Sequence, residues 1–295
     1  MQLHCAYQSI ANPLDINGNS RKNQDNILIQ NNKQTIYRSK GDKHKEKKTL
    51  SNVQRLAILD GVGSLPYSEQ LTVAVCEALS ELPKGMILKE LINKITDIHH
   101  QQQSIYNAKI KTAGTTLTML DFNDDGKASL IHIGDSRLYE ISPTHVECLT
   151  IDANKPNQHA IDQNNRLEIN STTSNEISHC FALGNGYKDQ IRKSTSYNEL
   201  RFLTKEILPK KLRCYEDTRY LTLSKNNYYL LATDGFFTLP NSQIFISSWS
   251  SILYSDKYKT LNQKLDMLFH KISQQLITEG KISADNATAI LFNVN

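Results

Sequence analysis

Acidic residues stand at the ends of apolar, strand-like segments at three places in this chain of 295 residues. The pairs are Asp60-Gly61 after a run ending at Leu59, Asp234-Gly235 after a run ending at Thr233, and Asp285-Asn286 before a run starting at Ala287. A carboxylate at the mouth of a buried strand is costly to leave unpaired, because burial penalises its charge. Carboxylate and carbonyl oxygens are the ligands that Mg²⁺ or Mn²⁺ prefers. The pattern therefore predicts a shared divalent cation.

Asp-Gly is also the commonest signal for a tight turn after a strand, so each pair alone favours a turn. A fourth aspartate, in Gly134-Asp135-Ser136-Arg137, follows the alternating segment Ser129–Ile133. Turns alone do not explain four aspartates at strand ends, and the metal site is the favoured interpretation.

Composition excludes several classes of protein. A net charge of +4 with a pI near 8.6 is too weakly basic to indicate nucleic acid binding. The cysteines lack Cys-x-x-Cys spacing, which is typical of reduced thiols in a cytoplasmic protein. No segment approaches the roughly 18 apolar residues of a membrane span, so we expect no membrane association.

Periodicity predicts an α+β fold. Strand-like runs lie at 3–10, 26–29, 53–59, 115–122, 128–133, 137–141, 146–149, 219–223, 228–232 and 287–292, and apolar helical stripes lie at 71–82, 87–98 and 261–276. This order favours two packed, mainly antiparallel sheets with helices outside. We expect residues 115–149 to form the core of the second sheet, and His99 to be a surface residue. No linker is evident, so residues 1–295 are predicted to form a single domain.

A run of basic residues separates two of the early strands. It spans residues 38–48, within a loop of about 38–50, and such runs are typical of solvated loops. We expect an exposed hairpin extension here, and docking of an acidic partner is the alternative.

Seven short motifs occur in an order that resembles the metal-dependent serine/threonine protein phosphatases of type 2C, the PPM family. They are Arg21-Lys-Asn-Gln-Asp25, Asp60-Gly-Val-Gly63, Ala113-Gly-Thr-Thr116, Gly134-Asp-Ser-Arg137, Ala182-Leu-Gly184, Ala232-Thr-Asp-Gly235 and Asp285-Asn-Ala-Thr288. The resemblance implies a four-layer α-β-β-α sandwich with a binuclear Mn²⁺ or Mg²⁺ centre at one end. It also implies a variable flap, at about residues 150–182.

The resemblance also implies roles for individual residues. Asp60 resembles the carboxylate that bridges two metals, and Gly61 resembles the donor of a backbone carbonyl. Asp234 and Asp285 resemble ligands of the first metal. Asp25 resembles the acid that orients metal-bound water. Asp135 resembles a residue that some bacterial members use for a third metal.

Three positions depart from the family pattern. Ser20 stands where the family usually has arginine, so Arg21, one residue later, is the candidate phosphate-binding residue. Gln24 replaces a frequent glutamate, which predicts a weaker second metal site. Val62 stands where eukaryotic relatives carry a histidine and bacterial relatives usually carry an apolar residue. These departures motivate an alternative, a pseudophosphatase that acts as a regulatory binding module.

The implied reaction is hydrolysis of phosphoserine or phosphothreonine in a phosphorylated protein, opposite a serine/threonine kinase pathway, by a monomer. Two cations about 3.5–4 Å apart would lower the pKa of a water and stabilise charge in an in-line displacement. The other phosphatase chemistry needs a Cys-x5-Arg loop. The nearest approach is Cys214 with Arg219, which is one residue too close. A cysteine nucleophile is therefore not expected.

Overall fold

The structure is a computed structural model. It describes residues 2–10, 23–37, 49–63, 65–108, 112–123, 127–163, 177–181, 200–238, 242–278 and 285–294. The predicted phosphate-binding Arg21, the basic run 38–48 and the motif at 182–184 lie outside these ranges.

Twelve strands in the described residues form two six-stranded antiparallel sheets. The strands are β1 Leu3–Ile10, β2 Asn26–Asn31, β3 Thr35–Tyr37, β4 Thr49–Ser51, β5 Val53–Leu59, β6 Leu117–Phe122, β7 Lys127–Ile133, β8 Arg137–Ile141, β9 Val146–Cys148, β10 Thr218–Thr222, β11 Tyr228–Ala232 and β12 Ala287–Val294. Sheet A has the order β4-β1-β12-β11-β8-β9, and sheet B has the order β10-β7-β6-β5-β2-β3.

The described residues contain seven α-helices. They are α1 Ser68–Ser80, α2 Leu88–Ala108, α3 Lys155–Asp162, α4 Asp234–Phe237, α5 Ser242–Ser247, α6 Trp249–Leu253 and α7 Leu261–Thr278; a 3₁₀ turn spans Lys210–Tyr215. The three long helices are the ones that the apolar stripes predict, because only they show several turns of 3.6-residue periodicity.

Apolar residues form three large buried clusters, one at each interface between layers. The first lies between the two sheets and includes Leu56 and Ile290. The second joins sheet A to the helices α4–α7 around Trp249, and the third joins sheet B to α1 and α2 around Leu71. Central strands are thus covered on both faces, which explains why they read as continuous apolar runs. The predicted four-layer α-β-β-α sandwich is confirmed.

Three expectations are wrong. The meander 115–149 does not form one sheet, because β6 and β7 lie in sheet B whereas β8 and β9 lie in sheet A. His99 is buried, since its ring packs edge-on against Phe181 at 5.3 Å between centroids. The basic loop ends before residue 49, because β4 begins there and buries Leu50 in pairing with Cys5.

The predicted flap is partly described. Helix α3 begins after Asn154, whose side chain accepts a hydrogen bond from the backbone of Asn157, and Asn154 forms an isolated bridge with Ile177. Residues 164–176 lie outside the described part. No helix in the described ranges has the length and apolarity needed to cross a lipid bilayer.

A buried ion pair joins sheet B to the end of α1. Arg55 of β5 donates to Asp121 of β6 at 2.7 Å, and both side chains are inaccessible to solvent. The guanidinium also donates to the carbonyls of Leu79, Leu82 and Pro83. These carbonyls lie in and just after the last turn of the helix, where carbonyls lack the regular intrahelical partner. Arg55 therefore compensates both the carboxylate and the helix terminus.

We predict that Arg55→Met lowers the free energy of unfolding by about 3–5 kcal/mol, because Asp121 and the carbonyls lose their partner inside the core. Denaturant unfolding measures the loss. The double variant Arg55→Met/Asp121→Leu should recover part of it, since it removes the orphaned charge. A loss below about 1 kcal/mol for the single variant would contradict this assignment.

Candidate metal centre

The predicted site residues flank strands that end at the same edge of the sandwich. In sheet B, Asp25 precedes β2 and Asp60 follows β5, and the pairing of Asn26 with Leu59 places them side by side. In sheet A, β11 and β12 are paired antiparallel with Ala232 opposite Ala289. The end of β11 and the start of β12 therefore meet, and they carry the other two predicted ligands.

Asp234 and Asp285 are brought together by a close backbone contact. A Cβ atom added to Gly235 would lie 2.0 Å from the carbonyl oxygen of Asn286, so no other residue type fits at position 235 without displacing that backbone. Packing against Asn286 thus explains the glycine at position 235, in addition to the turn that the Asp-Gly pair predicts.

Thr233 connects the aspartates of the two sheets. Its Oγ1 donates to Oδ2 of Asp25 at 3.0 Å, and it accepts from the backbone N–H of Thr288 at 3.0 Å. Asp25 belongs to sheet B, whereas Thr233 and Thr288 belong to sheet A. Sequence analysis missed Thr233, although its position directly before Asp234 was a usable signal.

Asp135 lies in the crossover from β7 in sheet B to β8 in sheet A. The neighbouring Arg137 is held by Asp152, with Nε donating to Oδ1 at 2.9 Å and Nη2 to Oδ2 at 2.6 Å. Its guanidinium also stacks 4.1 Å from the ring centroid of Phe237. Arg137 is therefore a structural anchor of the crossover and does not substitute for the phosphate-binding arginine.

The carboxyl groups perturb one another. Burial, and then the charges of Asp25, Asp234, Asp285 and Asp135, raise the pKa of Asp60 well above its usual range. Burial is also the main cause that raises the pKa of Asp25 to about 6 and that of Asp234 to about 7, with the charge of Asp285 adding to both. The site thus concentrates negative charge that only a cation or a proton relieves.

Burial, followed by the charges of Asp234 and Asp152, raises the pKa of Asp135 well above its usual range, while Arg137 opposes this shift. Asp135 therefore shares the field of the other carboxylates. Each of the five predicted acidic residues affects the pKa of at least one other member of the group. They are Asp25, Asp60, Asp135, Asp234 and Asp285.

The donor set fits a hard cation with several water ligands. Within the described ranges, no three His, Cys, Asp or Glu side chains form a metal-sized cluster by themselves. Mg²⁺ commonly takes only one or two carboxylates and keeps its waters, so such a cluster is not required. The Oδ1 atoms of Asp135 and Asp234 are buried and accept no hydrogen bond from any described residue. Buried acceptors without donors are suited to a cation.

The loop that follows Asp60 is held by two sets of contacts. Gln24 donates from Nε2 to the carbonyl of Leu65 at 3.2 Å, which ties the first motif to the loop after Asp60. Gly61 forms an isolated bridge with Thr115, and Val62 donates its backbone N–H to the carbonyl of Gly114. The loop that carries the predicted carbonyl ligand is therefore held by backbone pairing.

We predict that Asp60→Asn stabilises the metal-free protein by about 1–3 kcal/mol at pH 7.5, and less at lower pH. The pKa of Asp60 is raised in the folded state, so folding favours its protonated form. Its destabilising charge is absent below the unfolded pKa and grows as pH rises towards the folded pKa. Denaturant unfolding between pH 5 and 8 measures the difference from wild type.

The matched control for this comparison is Asp97→Asn, because the Asp97 side chain is 71% exposed on α2. This variant should follow wild type at every pH. A pH-independent loss of stability in Asp60→Asn would show that Asp60 is not crowded by like charges.

Solved structures share this fold over nearly the whole chain. Serine/threonine phosphatase Stp1 from Staphylococcus aureus has a TM-score of 0.66 at 18% identity, covering 99% of this chain and 94% of that chain. The Mycobacterium tuberculosis serine/threonine phosphatase PstP/Ppp has a TM-score of 0.63 at 16% identity, covering 100% of both. The catalytic domain of PstP in complex with two manganese ions has a TM-score of 0.61 at 16% identity, covering 100% of both.

No protein-family model matches the sequence, and no curated protein matches it significantly. Identities of this size establish similarity of fold alone. The order of the seven motifs and the two-sheet architecture nevertheless agree independently, since the first comes from sequence and the second from strand pairing. The chain therefore has the fold of the bacterial serine/threonine phosphatases of type 2C.

Proposed function

We propose that this protein is a metal-dependent phosphatase that hydrolyses phosphoserine or phosphothreonine in phosphorylated proteins. The observation that carries the proposal is the crowding of strand-end aspartates from both sheets at one edge of the sandwich. Two Mn²⁺ or Mg²⁺ ions are the proposed cofactors. The complex of the PstP neighbour with two manganese ions supports this choice.

Each aspartate has a proposed task in this site. Asp60, whose carboxyl is affected by the charges of the other four aspartates, would hold the cations together with the backbone carbonyl of Gly61. Asp234 and Asp285 would hold one of them, and Asp135 would serve a third. When bound, the cations supply charge for the phosphoryl oxygens and lower the pKa of an attacking water.

Asp25 is proposed to orient water through hydrogen bonds. Its Oδ2 is fixed by Thr233, and burial raises the pKa of its carboxyl to about 6. A group poised near neutral pH can accept or share a proton more readily than an ordinary aspartate. Arg21, four residues earlier in the same motif, is proposed to bind the phosphate through its planar guanidinium.

The proposed substrates are folded phosphoproteins, and the proposed setting is a pathway driven by an opposing serine/threonine kinase. The proposed flap at 150–182 borders the centre through a hydrogen bond from the backbone of Ala153 to the carbonyl of Gly134, 2.7 Å long. We propose a monomer of a single domain, located in the cytoplasm, as the active unit.

We predict that the protein hydrolyses p-nitrophenyl phosphate and a phosphothreonine peptide only with Mn²⁺ or Mg²⁺. Asp60→Asn should reduce kcat/KM at least about 100-fold, because the cation contacts of both ions are lost. Steady-state kinetics with and without EDTA measure the effect, and Asp97→Asn should retain wild-type activity. Metal-independent hydrolysis, or an unchanged Asp60→Asn variant, would overturn the proposal.

A regulatory binding module without catalytic activity is the second candidate. It is favoured by Gln24, a neutral amide whose nitrogen is engaged by Leu65 where the family pattern has a carboxylate. Such a module would fold and bind a partner without hydrolysis. A folded wild-type protein that binds Mn²⁺ yet hydrolyses neither substrate would favour this candidate.

We predict that Gln24→Glu strengthens binding of the weaker cation by about 10-fold, because it adds a negative charge beside the loop of Gly61. Titration calorimetry with Mn²⁺ resolves the two binding events. Gln24→Ala is the control, since it removes the same hydrogen bond to Leu65 without adding charge. Equal affinities for the Glu and Ala variants would rule out an electrostatic role for position 24.

A further inference from the structure

Thr116 occupies the junction between Asp60 and the Asp135 crossover. It directly precedes β6, and its side chain is fully buried. Oγ1 accepts a hydrogen bond from the backbone N–H of Asp60 at 2.9 Å, and the backbone N–H of Thr116 donates to the carbonyl of Asp60 at 2.8 Å. Thr116 therefore fixes both backbone polar groups of the aspartate that the proposed function places between two cations.

The same hydroxyl reaches the crossover. Oγ1 of Thr116 lies 2.7 Å from Oγ of Ser136, which is also fully buried. The carbonyl of Ser136 accepts a hydrogen bond from Oγ1 of Thr118 at 2.7 Å. Oγ1 of Thr118 also lies 3.0 Å from Nδ1 of His132. The residue that follows Asp135 is thus held at its side chain and at its main chain.

The methyl group of Thr116 packs on the residue before Asp135. Gly134 has a φ of +103°, and a Cβ atom added there would lie 2.6 Å from Cγ2 of Thr116. A side chain at position 134 is excluded by the backbone conformation and by this contact. Both residues that flank Asp135 therefore rest on Thr116.

The Oδ1 atom of Asp135 is buried and accepts no hydrogen bond from the described residues. The contacts described above therefore act on the two neighbours of Asp135 in the chain. One hydroxyl pair connects these neighbours to the backbone of Asp60.

We infer that the Thr116–Ser136 hydroxyl pair is a positioning device that sets the separation of Asp60 and Asp135, and hence the affinity of the centre for its divalent cations. Neither hydroxyl touches a cation or substrate in this scheme. The inference rests on the proposed function for its consequence, whereas the coupling between the two hydroxyls is independent of it. Hydrogen-bonding partners of metal ligands typically change metal affinity by roughly 10–100-fold when removed.

The test compares Thr116→Val, which keeps the shape but removes Oγ1, with Thr116→Ser, which keeps Oγ1. Ser136→Ala and the double variant Thr116→Val/Ser136→Ala complete a cycle. Calorimetry with Mn²⁺ should show about 10-fold weaker binding for Thr116→Val and Ser136→Ala, and less than about threefold for Thr116→Ser. The double variant should lose less affinity than the product of the two single losses, because both single variants remove one shared interaction.

A second readout needs no metal. Amide hydrogen exchange reports the protection of the Asp60 N–H, which bonds to Oγ1 of Thr116. This amide should exchange at least about 10-fold faster in metal-free Thr116→Val and in Ser136→Ala, while Thr116→Ser stays near wild type. This measurement decides the inference if Thr116→Val does not fold, because Ser136→Ala breaks the Thr116–Ser136 hydroxyl contact and leaves Oγ1 of Thr116, the acceptor of the Asp60 N–H, in place.

The outcomes separate the two hypotheses. A wild-type protein that binds no Mn²⁺ would overturn the proposed function, and exchange at Asp60 would still test the hydroxyl coupling. Unchanged exchange in Ser136→Ala overturns the coupling. Wild-type Mn²⁺ affinity in folded Thr116→Val or Ser136→Ala overturns the positioning role, and additive losses in the cycle overturn the shared interaction.

Discussion

Repulsion among buried carboxylates is the constraint on which the rest of this structure depends. Asp60 is surrounded by four other aspartates whose charges all raise its pKa. Without a cation, the sandwich must hold these groups together against their preference to separate or to take up protons. The large apolar interfaces on both sides of each sheet supply the free energy that makes this possible. Stability of the core and strain at the site are therefore linked.

Threonine and serine hydroxyls position the aspartates through hydrogen bonds to their side chains or backbone. Thr233 joins Asp25 to the strand ends of sheet A, and Thr116 joins Asp60 to the crossover between the sheets. A hydroxyl can donate and accept at once, so it can satisfy two backbone or carboxylate groups that approach from different sheets. The Oδ1 atom of Asp234, by contrast, is buried and accepts no hydrogen bond from the described residues.

The four-layer architecture and the proximity of the strand-end aspartates could be predicted from sequence, whereas the residues that support these aspartates could not. Strands such as β12 are covered on both faces and read as continuous apolar runs, and aspartates beside them signal a site. The division of the meander 115–149 between two sheets was not predictable, because the three-residue link at Gly134-Asp135-Ser136 looks like a hairpin turn in sequence. His99 was misjudged, because polar residues on a helix give no sign of the side chain that covers them.

The crossover is one reason why the strand ends of the two sheets lie close together at this edge. A chain that leaves sheet B and enters sheet A within three residues must bring the two sheets close together at that point. Gly134 permits the turn, and Arg137 anchors the far side through Asp152. Strand ends from both sheets then fall within the range of one another's charges. Motifs that look like separate turns in the sequence therefore lie together in the structure, where the two sheets approach each other around several aspartates.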